Sequence, residues 1–202
     1  MNFVPIFPTL IGGSILSSFS QNKIKSWLDY IKNSELDYMT ENSNANDYLT
    51  KDVKIFDSPL FYELKNAIYE LSKKYIEKIG ITIPDIQFST SWGYLSGKGG
   101  TEYNWHKHRN SLISGVFYLT KGSPIEFRSD HRNNFDFFIP MANQHDYDVD
   151  HFRITPEPNL LILFPSYLEH TAVGGITEER CSIAFNIIPK GEFGGKTIKL
   201  SL

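Results

Sequence analysis

The sequence feature that most restricts the fold is a series of short, β-rich runs after Pro84. Six such runs follow one another: IQFSTSWGYL, SLISGVFYLT, SPIEFRS, HFRIT, NLLILFP and RCSIAFNIIP. Clusters of Gly, Pro, Asn and Asp separate them, which is typical of strands joined by turns and loops. Strands connected without helical crossovers pair mainly antiparallel. This part of the chain is therefore expected to be an antiparallel sandwich, jelly roll or barrel.

The residues before Pro84 predict two helices. The first has apolar residues at the i, i+3, i+4, i+7 spacing, namely Ile24, Trp27, Leu28 and Ile31. In the second, Ser58 is a candidate N-cap, Pro59 suits the first helical position, and Gly80 is placed to end the helix. We predict one domain over residues 1–202, with 1–84 as a helical support region and 85–202 as the β-barrel core.

Charge and composition give no strong nucleic-acid or membrane signal. The formal net charge is −3, so the whole protein has no field that would attract nucleic acid or anionic lipid. We find no window with the ~18 to 20 apolar residues of a membrane span. The chain has a single cysteine and no visible secretory leader. These features predict a protein of the reducing cytoplasm, and they give no indication of its oligomeric state.

Two histidines lie one residue apart in the stretch YNWHKHRN, which covers residues 103–110. Side chains at i and i+2 of an extended chain point to the same face, so His106 and His108 would present two imidazoles side by side. If no bulge intervenes, Asn110, Ser114 and Tyr118 continue along that face.

A third histidine and an arginine follow the later apolar runs. His170 lies in the segment FPSYLEHTAVGG that follows the apolar run LLILF, and Arg180 opens the last long run. By the two-residue period, Arg180 and Ser182 share a polar face with Ala184 and Asn186, whereas Cys181 lies on the opposite, apolar face. Histidines from an early and a late run, with Arg180 beyond them, are thus predicted to converge on one cavity.

This combination of residues suits the binding of a metal and a dicarboxylate. Neutral imidazoles bind Fe, Zn, Cu and Ni, and three protein ligands leave metal positions open for reactants. Arginine presents a planar, permanently charged fork that can grip a carboxylate with two hydrogen bonds. A 2-oxo dicarboxylate could therefore chelate the metal at one end and contact Arg180 at the other.

The two blocks WHKHRNSLISGVFYL and NLLILFPSYLEHTAVGGITEERCSIAFNI resemble the 2-oxoglutarate- and Fe(II)-dependent oxygenases. IFPTLIGG and SWGYLSGKGG are also similar to the group with H-x-H, a late F-P-S-x-L-x-H and E-R-x-S-I-x-F-N. The resemblance implies a mainly β fold, a double-stranded β-helix (a jelly-roll or cupin-like barrel) flanked by about two α-helices. It implies that His106 and His170 bind iron and that Arg180 and Ser182 hold the distal carboxylate of 2-oxoglutarate. Tyr118 is a further candidate donor to 2-oxoglutarate.

The chain departs from the wider superfamily at His108. Most members have H-x-D at this position, which gives two histidines and one carboxylate. Either His108 replaces the carboxylate, or another acid such as Asp130 reaches the metal. Strand parity favours His108, and the predicted ligand set is therefore His106, His108 and His170.

The expected activity is that of a dioxygenase, most simply a hydroxylase, with Fe(II), 2-oxoglutarate and O2 as its requirements and ascorbate as a support in vitro. It would couple conversion of 2-oxoglutarate to succinate to the oxidation of a C–H bond in a small-molecule or peptide substrate. His106, His108, His170 and Arg180 would form the catalytic site. Two alternatives are a cupin-like three-histidine metalloenzyme that does not use 2-oxoglutarate, and a non-enzymatic β-barrel binding module stabilised by a metal.

Overall fold

A computed structural model describes residues 9–38, 47–97, 104–128, 151–173, 179–195 and 199–202 of the chain. Within these residues, seven strands form the largest sheet, and all of its pairings are antiparallel. In chain order these strands are β1 (Gly12–Ile15), β2 (Leu36–Tyr38), β3 (Asp47–Thr50), β4 (Asp85–Ser96), β5 (Ile113–Tyr118), β8 (Leu160–Pro165) and β10 (Arg180–Lys190). Their spatial order is β1-β8-β5-β10-β4-β3-β2.

A smaller antiparallel sheet faces the large one. It consists of β6 (Ile125–Arg128), β7 (His151–Ile154) and β9 (Glu169–Ala172), in the order β7-β6-β9. The two sheets meet in a small apolar cluster with Tyr118, Ile125 and Phe164 among its buried members. Near the C-terminus, β11 (Glu192–Gly194) and β12 (Lys199–Ser201) form a separate hairpin. The mainly β, antiparallel fold predicted from the six runs is confirmed, since each run coincides with or overlaps one of the observed strands.

Both predicted helices are present and pack on the outer face of the large sheet. Helix α1 (Gln21–Asn33) begins after Ser20, whose side chain accepts a hydrogen bond from the backbone N–H of Lys23 at 3.3 Å. Its apolar stripe buries Ile24, Trp27 and Ile31 in the main core. Neither helix in the described part of the chain is long and apolar enough to cross a membrane.

The second helix, α2 (Tyr62–Lys78), differs from the prediction at its start and agrees with it at its end. A 3₁₀ turn, Pro59–Phe61, precedes it, and the Ser58 side chain makes no capping hydrogen bond. At the other end Gly80 has φ of 79°, and the N–H groups of Gly80 and Ile81 bond the carbonyls of Glu77 and Ile76 at 3.0 and 3.1 Å. This is the glycine-terminated helix end that the sequence indicates.

The strands β1, β2 and β3 were not predicted, although they belong to the large sheet. They are 3 or 4 residues long and lie at or next to its edges. Runs this short lack the sustained alternation that identifies a strand in sequence. The region before residue 85 therefore contributes sheet edges as well as helices, and the division of the domain at residue 84 stays a prediction.

The two faces of the large sheet have different chemistry. In β5, Ile113 and Phe117 point to the helices, whereas Ser114, Val116 and Tyr118 line a cavity on the other side. Gly115 leaves room on the helix side: a Cβ atom there would lie 2.3 Å from the ring of Phe185 on the neighbouring strand. The Phe185 ring thus fills the space that a side chain at residue 115 would need.

We predict that Gly115→Ala destabilises the protein. The added methyl group must displace a fully buried ring, and overpacking of this kind costs about 1–3 kcal/mol. Urea denaturation would measure the loss in free energy of unfolding. Gly13→Ala is the matched control, because a Cβ at Gly13 meets no atom within 4 Å. Equal stability of both variants would contradict the packing described for Phe185.

Candidate functional site

A cavity of about 330 Å³ opens between the two sheets. This volume lies at the lower end of the range of about 300–1,000 Å³ seen for small-ligand sites. Apolar side chains make up much of the wall, for example Val116, Ile125 and Phe164. The polar side chains face the same space and include all of the predicted site residues: His106, His108, Tyr118, His170, Arg180 and Ser182.

The three histidines converge at one end of this cavity. One ring nitrogen from each of His106, His108 and His170 lies within 4.8 Å of the others, and the Nε2 atoms of His108 and His170 are 3.3 Å apart. The 3.3 Å between these two Nε2 atoms is compatible with a shared metal ion. Two nitrogens that each bind one metal at about 2.0–2.1 Å lie at about this distance from each other.

Backbone hydrogen bonds bring the two histidine segments together. The N–H and C=O groups of His106 and His170 bond each other in both directions at 3.0 Å, and the N–H of His108 bonds the carbonyl of Ser166 at 3.0 Å. The Nδ1 atoms of His106 and His170 lie 2.9 and 3.0 Å from the carbonyls of Asn104 and Leu168. A carbonyl only accepts, so Nδ1 carries the proton in each ring and Nε2 keeps its lone pair for a metal.

Burial keeps the three rings neutral. Removal from water, with a smaller contribution from the nearby His106, lowers the pKa of His170 to about 3 and that of His108 to about 4. The pKa of His106 is also lowered by burial, against smaller opposing contributions from the Asn104 carbonyl and Glu169. At neutral pH the imidazoles are therefore in the unprotonated form that binds metals.

No carboxylate joins this group among the described residues. Glu169 precedes His170, but its carboxylate is paired with Arg128, with Nη2 to Oε1 at 2.6 Å. Asp130, the alternative ligand considered from the sequence, lies outside the described residues. The donor set that the structure describes consists of three neutral histidines.

Arg180 forms the charged wall of the cavity. Its side chain is 3% exposed, its guanidinium carbon lies 4.7 Å from the centre of the Tyr94 ring, and Nη1 donates to the carbonyl of Ser123 at 3.0 Å. The Nε atom is buried and has no hydrogen-bond partner among the residues that the structure describes. A buried donor without a partner costs about 1–3 kcal/mol. An anionic ligand in the cavity would remove that cost.

Ser182 and Tyr118 stand next to Arg180 on paired strands. They are direct partners in the register of β10 and β5, and both are buried at the cavity wall. Burial raises the pKa of the Tyr118 hydroxyl far above its ordinary value, so the group remains a neutral donor. Cys181 points the other way into the main core, as predicted, and burial raises its pKa to about 12.

The predicted face breaks at Asn110. This residue has φ of 60° and is exposed, because a turn separates the histidine segment from β5. The expectation that Asn110 continues the histidine face is therefore wrong. Ser114 and Tyr118 do line the cavity, because the alternation is set anew within β5.

Sequence reasoning missed the residues that support Arg180. A Cβ atom at Gly122 would lie 2.7 to 2.9 Å from Cβ, Cγ and Cδ of Arg180, so the arginine side chain lies directly over this glycine. Tyr94 supplies the aromatic ring beside the guanidinium, and its hydroxyl donates to Asp47 at 3.0 Å. The Gly-Ser-Pro turn was visible in the sequence, but turn glycines are common and carry no sign of such a contact.

Comparison with known proteins is consistent with this geometry. Residues 90–186 match the family described as "Putative 2OG-Fe(II) oxygenase", and this segment includes all of the predicted site residues. No curated protein matches the sequence.

Solved structures of such oxygenases share the fold. A prolyl-4-hydroxylase from Pseudomonas putida has a TM-score of 0.63 at 14% identity, over 91% of this chain and 94% of that one. HygX from Streptomyces hygroscopicus, solved with nickel and 2-oxoglutarate bound, has a TM-score of 0.58 at 14% identity, over 90% and 83%. The α-ketoglutarate-dependent epimerase SnoN from nogalamycin biosynthesis has a TM-score of 0.65 at 8% identity, over 94% and 83%. The predicted double-stranded β-helix is confirmed.

We predict that Gly122→Ala weakens the binding of 2-oxoglutarate but not of metal. The new methyl group would push the Arg180 side chain from its position, whereas the histidines lie elsewhere on the cavity wall. Isothermal titration with 2-oxoglutarate should show about a tenfold or larger loss of affinity, on the order of one charge-assisted hydrogen bond. Gly13→Ala again serves as the control. An unchanged affinity in Gly122→Ala would argue against a ligand contact by Arg180.

Proposed function

We propose, from the match of residues 90–186 to the family described as "Putative 2OG-Fe(II) oxygenase", that the chain is a hydroxylase dependent on non-haem Fe(II) and 2-oxoglutarate. It would couple the decarboxylation of 2-oxoglutarate to succinate to the hydroxylation of a C–H bond. The observation that carries this proposal is one cavity with two different ends. Three neutral imidazoles meet at the first, and a buried arginine with an unpartnered Nε forms the second.

His106, His108 and His170 would hold the iron. Their nitrogens are already gathered, their pKa values are lowered, and two of the rings have Nδ1 engaged by backbone carbonyls. Bound there with 2-oxoglutarate, Fe(II) would supply the activation of O2 that a C–H oxidation requires. The protein would fix the ligands in place before the metal arrives.

Arg180 would bind the distal carboxylate of 2-oxoglutarate. Its Nη1 is committed to Ser123, but Nε is available, and the Ser182 and Tyr118 hydroxyls lie on the same part of the wall. Because Val116, Ile125 and Phe164 line the cavity with apolar groups, the arginine–carboxylate attraction would be stronger than in water. These apolar residues would also keep water away from the reacting groups.

The substrate would be a small molecule or a peptide. The relatives of known structure include HygX with hygromycin B bound and a prolyl hydroxylase from Trichoplax adhaerens in complex with a peptide fragment. Both kinds of ligand are compatible with an open cavity that lies between two sheets.

We predict that Arg180→Ala and His170→Ala abolish or strongly reduce succinate formation from 2-oxoglutarate with Fe(II), O2 and ascorbate. Arg180→Ala should raise the dissociation constant for 2-oxoglutarate about 10- to 100-fold at unchanged metal content, since it removes charge-assisted hydrogen bonds. His170→Ala should lose bound metal. Arg153→Ala is the matched control, because Arg153 is an exposed arginine on β7. Turnover equal to wild type in both site variants would overturn the proposal.

A second prediction concerns the third ligand. His108→Ala should weaken Fe(II) or Co(II) binding at least tenfold, and Asp130→Ala should leave it unchanged. His108→Asp should bind metal again, because it restores the usual two-histidine, one-carboxylate set. Metal titration followed by absorption would measure all three variants. Loss of metal in Asp130→Ala with retention in His108→Ala would assign the ligand to Asp130.

The three-histidine donor set also favours a second candidate, a cupin-like metalloenzyme that does not use 2-oxoglutarate. In this candidate the cavity would still hold the metal, but Arg180 would bind an anion other than 2-oxoglutarate. Calorimetry on the metal-loaded protein separates the two. Binding of 2-oxoglutarate that depends on Arg180 supports the oxygenase, and absence of binding with metal retained supports the alternative.

A further inference from the structure

The proposed metal ligands come from two segments that need to be held in register. His170 lies in β9, but His106 and His108 lie in a segment that belongs to no strand, where His106 makes only an isolated bridge to His170. Backbone hydrogen bonds from His106 to His170 and from His108 to Ser166 hold this segment. Contacts of neighbouring side chains would stabilise its position further.

We infer that Arg128 is a positioning residue for the metal site, which ties the segment of His106 to the strand of His170. This inference rests on the proposed function. Arg128 ends β6 and is the direct partner of Glu169 on β9. Its Nε and Nη2 donate to the two oxygens of the Glu169 carboxylate, with Nη2 to Oε1 at 2.6 Å. Its guanidinium carbon also lies 4.5 Å from the centre of the Trp105 ring.

Two residues that the Arg128 side chain contacts, Trp105 and Glu169, each precede a proposed ligand. Trp105 is followed by His106, and Glu169 is followed by His170. A single guanidinium therefore contacts both ligand segments at once, one through the Trp105 ring and one through two hydrogen bonds to Glu169. A lysine ammonium lacks the planar fork needed for the two parallel hydrogen bonds.

The ion pair between Arg128 and Glu169 is suited to hold the two strands in a fixed arrangement. The side chains of Arg128 and Glu169 are 22% and 20% exposed, and their pairing is bidentate. The neighbouring pair of Arg153 and Glu126 on the same small sheet is a weaker match, since Arg153 is 62% exposed and its contact is 3.2 Å. Residues that orient metal ligands from outside commonly change metal affinity 10- to 100-fold when replaced.

The pairing also engages the one described carboxylate that precedes a proposed ligand. Both Glu169 oxygens are directed to Arg128. The Glu169 carboxylate is therefore held in the pair with Arg128.

The experiment compares Co(II) binding to the full chain in wild type, Arg128→Met, Arg128→Lys, Glu169→Gln and Arg153→Ala, followed by visible absorption. We expect Arg128→Met to weaken Co(II) binding about 10- to 100-fold. Arg128→Lys should bind Co(II) more tightly than Arg128→Met because it keeps the positive charge. Arg153→Ala should bind Co(II) with the affinity of wild type. The KM for 2-oxoglutarate at saturating Fe(II) should stay within about twofold, because the Arg180 end of the cavity is not touched.

Measurements on the metal-free protein distinguish a positioning role of Arg128 from a merely structural one. If Arg128 positions the ligands, the metal-free Arg128→Met and Arg153→Ala variants should have nearly the same melting temperature. The two variants should then differ in melting temperature only when metal is bound. Wild-type Co(II) affinity in Arg128→Met, or a loss that parallels an equal loss of stability without metal, would overturn the inference. If Arg128→Met fails to fold, Arg128→Lys and Glu169→Gln provide the same comparison. Absence of His170-dependent Co(II) binding in wild type would instead overturn the proposed function itself.

Discussion

The structure depends on the pairing of β10 with neighbours on both of its edges. β4 and β5 bond its two sides, so the strand cannot rotate or shift without breaking two ladders. Its alternation then assigns each residue to one of two environments. Cys181, Ile183 and Phe185 complete the core beneath the helices, while Arg180 and Ser182 reach the cavity. The main core and the cavity are thus lined by opposite faces of one strand.

Electrostatics in the cavity follows from burial more than from charge pairing. The histidines are held neutral by removal from water, whereas Arg180 remains charged because a guanidinium does not lose its proton in proteins. The polar contacts that Arg180 makes to the Ser123 carbonyl and the Tyr94 ring do not neutralise it. A site with neutral donors at one end and a fixed cation at the other is oriented before any ligand enters. An anionic ligand therefore has one preferred direction.

The sequence predicted the parts of the site that follow from the two-residue period, and missed those that depend on contacts between distant segments. The alternation of one long strand predicts that Arg180 and Ser182 face the cavity. The i, i+2 spacing of an extended chain predicts that His106 and His108 lie on the same face. The prediction for Asn110 was wrong because this residue has a left-handed backbone conformation, which interrupts the alternation of side chains. The contacts of Gly122 with Arg180 and of Arg128 with Trp105 arise only when the sheets close. The edge strands before residue 85 were too short to show a period.

The all-histidine cluster has a consequence for how ligands depend on each other. Three imidazoles add no negative charge, so a divalent cation held by them would keep its full positive charge inside a largely apolar cavity. A dianionic cosubstrate would offset that charge, and the cation would in turn increase the attraction for the dianion. By thermodynamic linkage, each would raise the affinity of the other by the same factor. The protein would then hold both tightly or neither, and the cell's supply of one would regulate occupancy by the other.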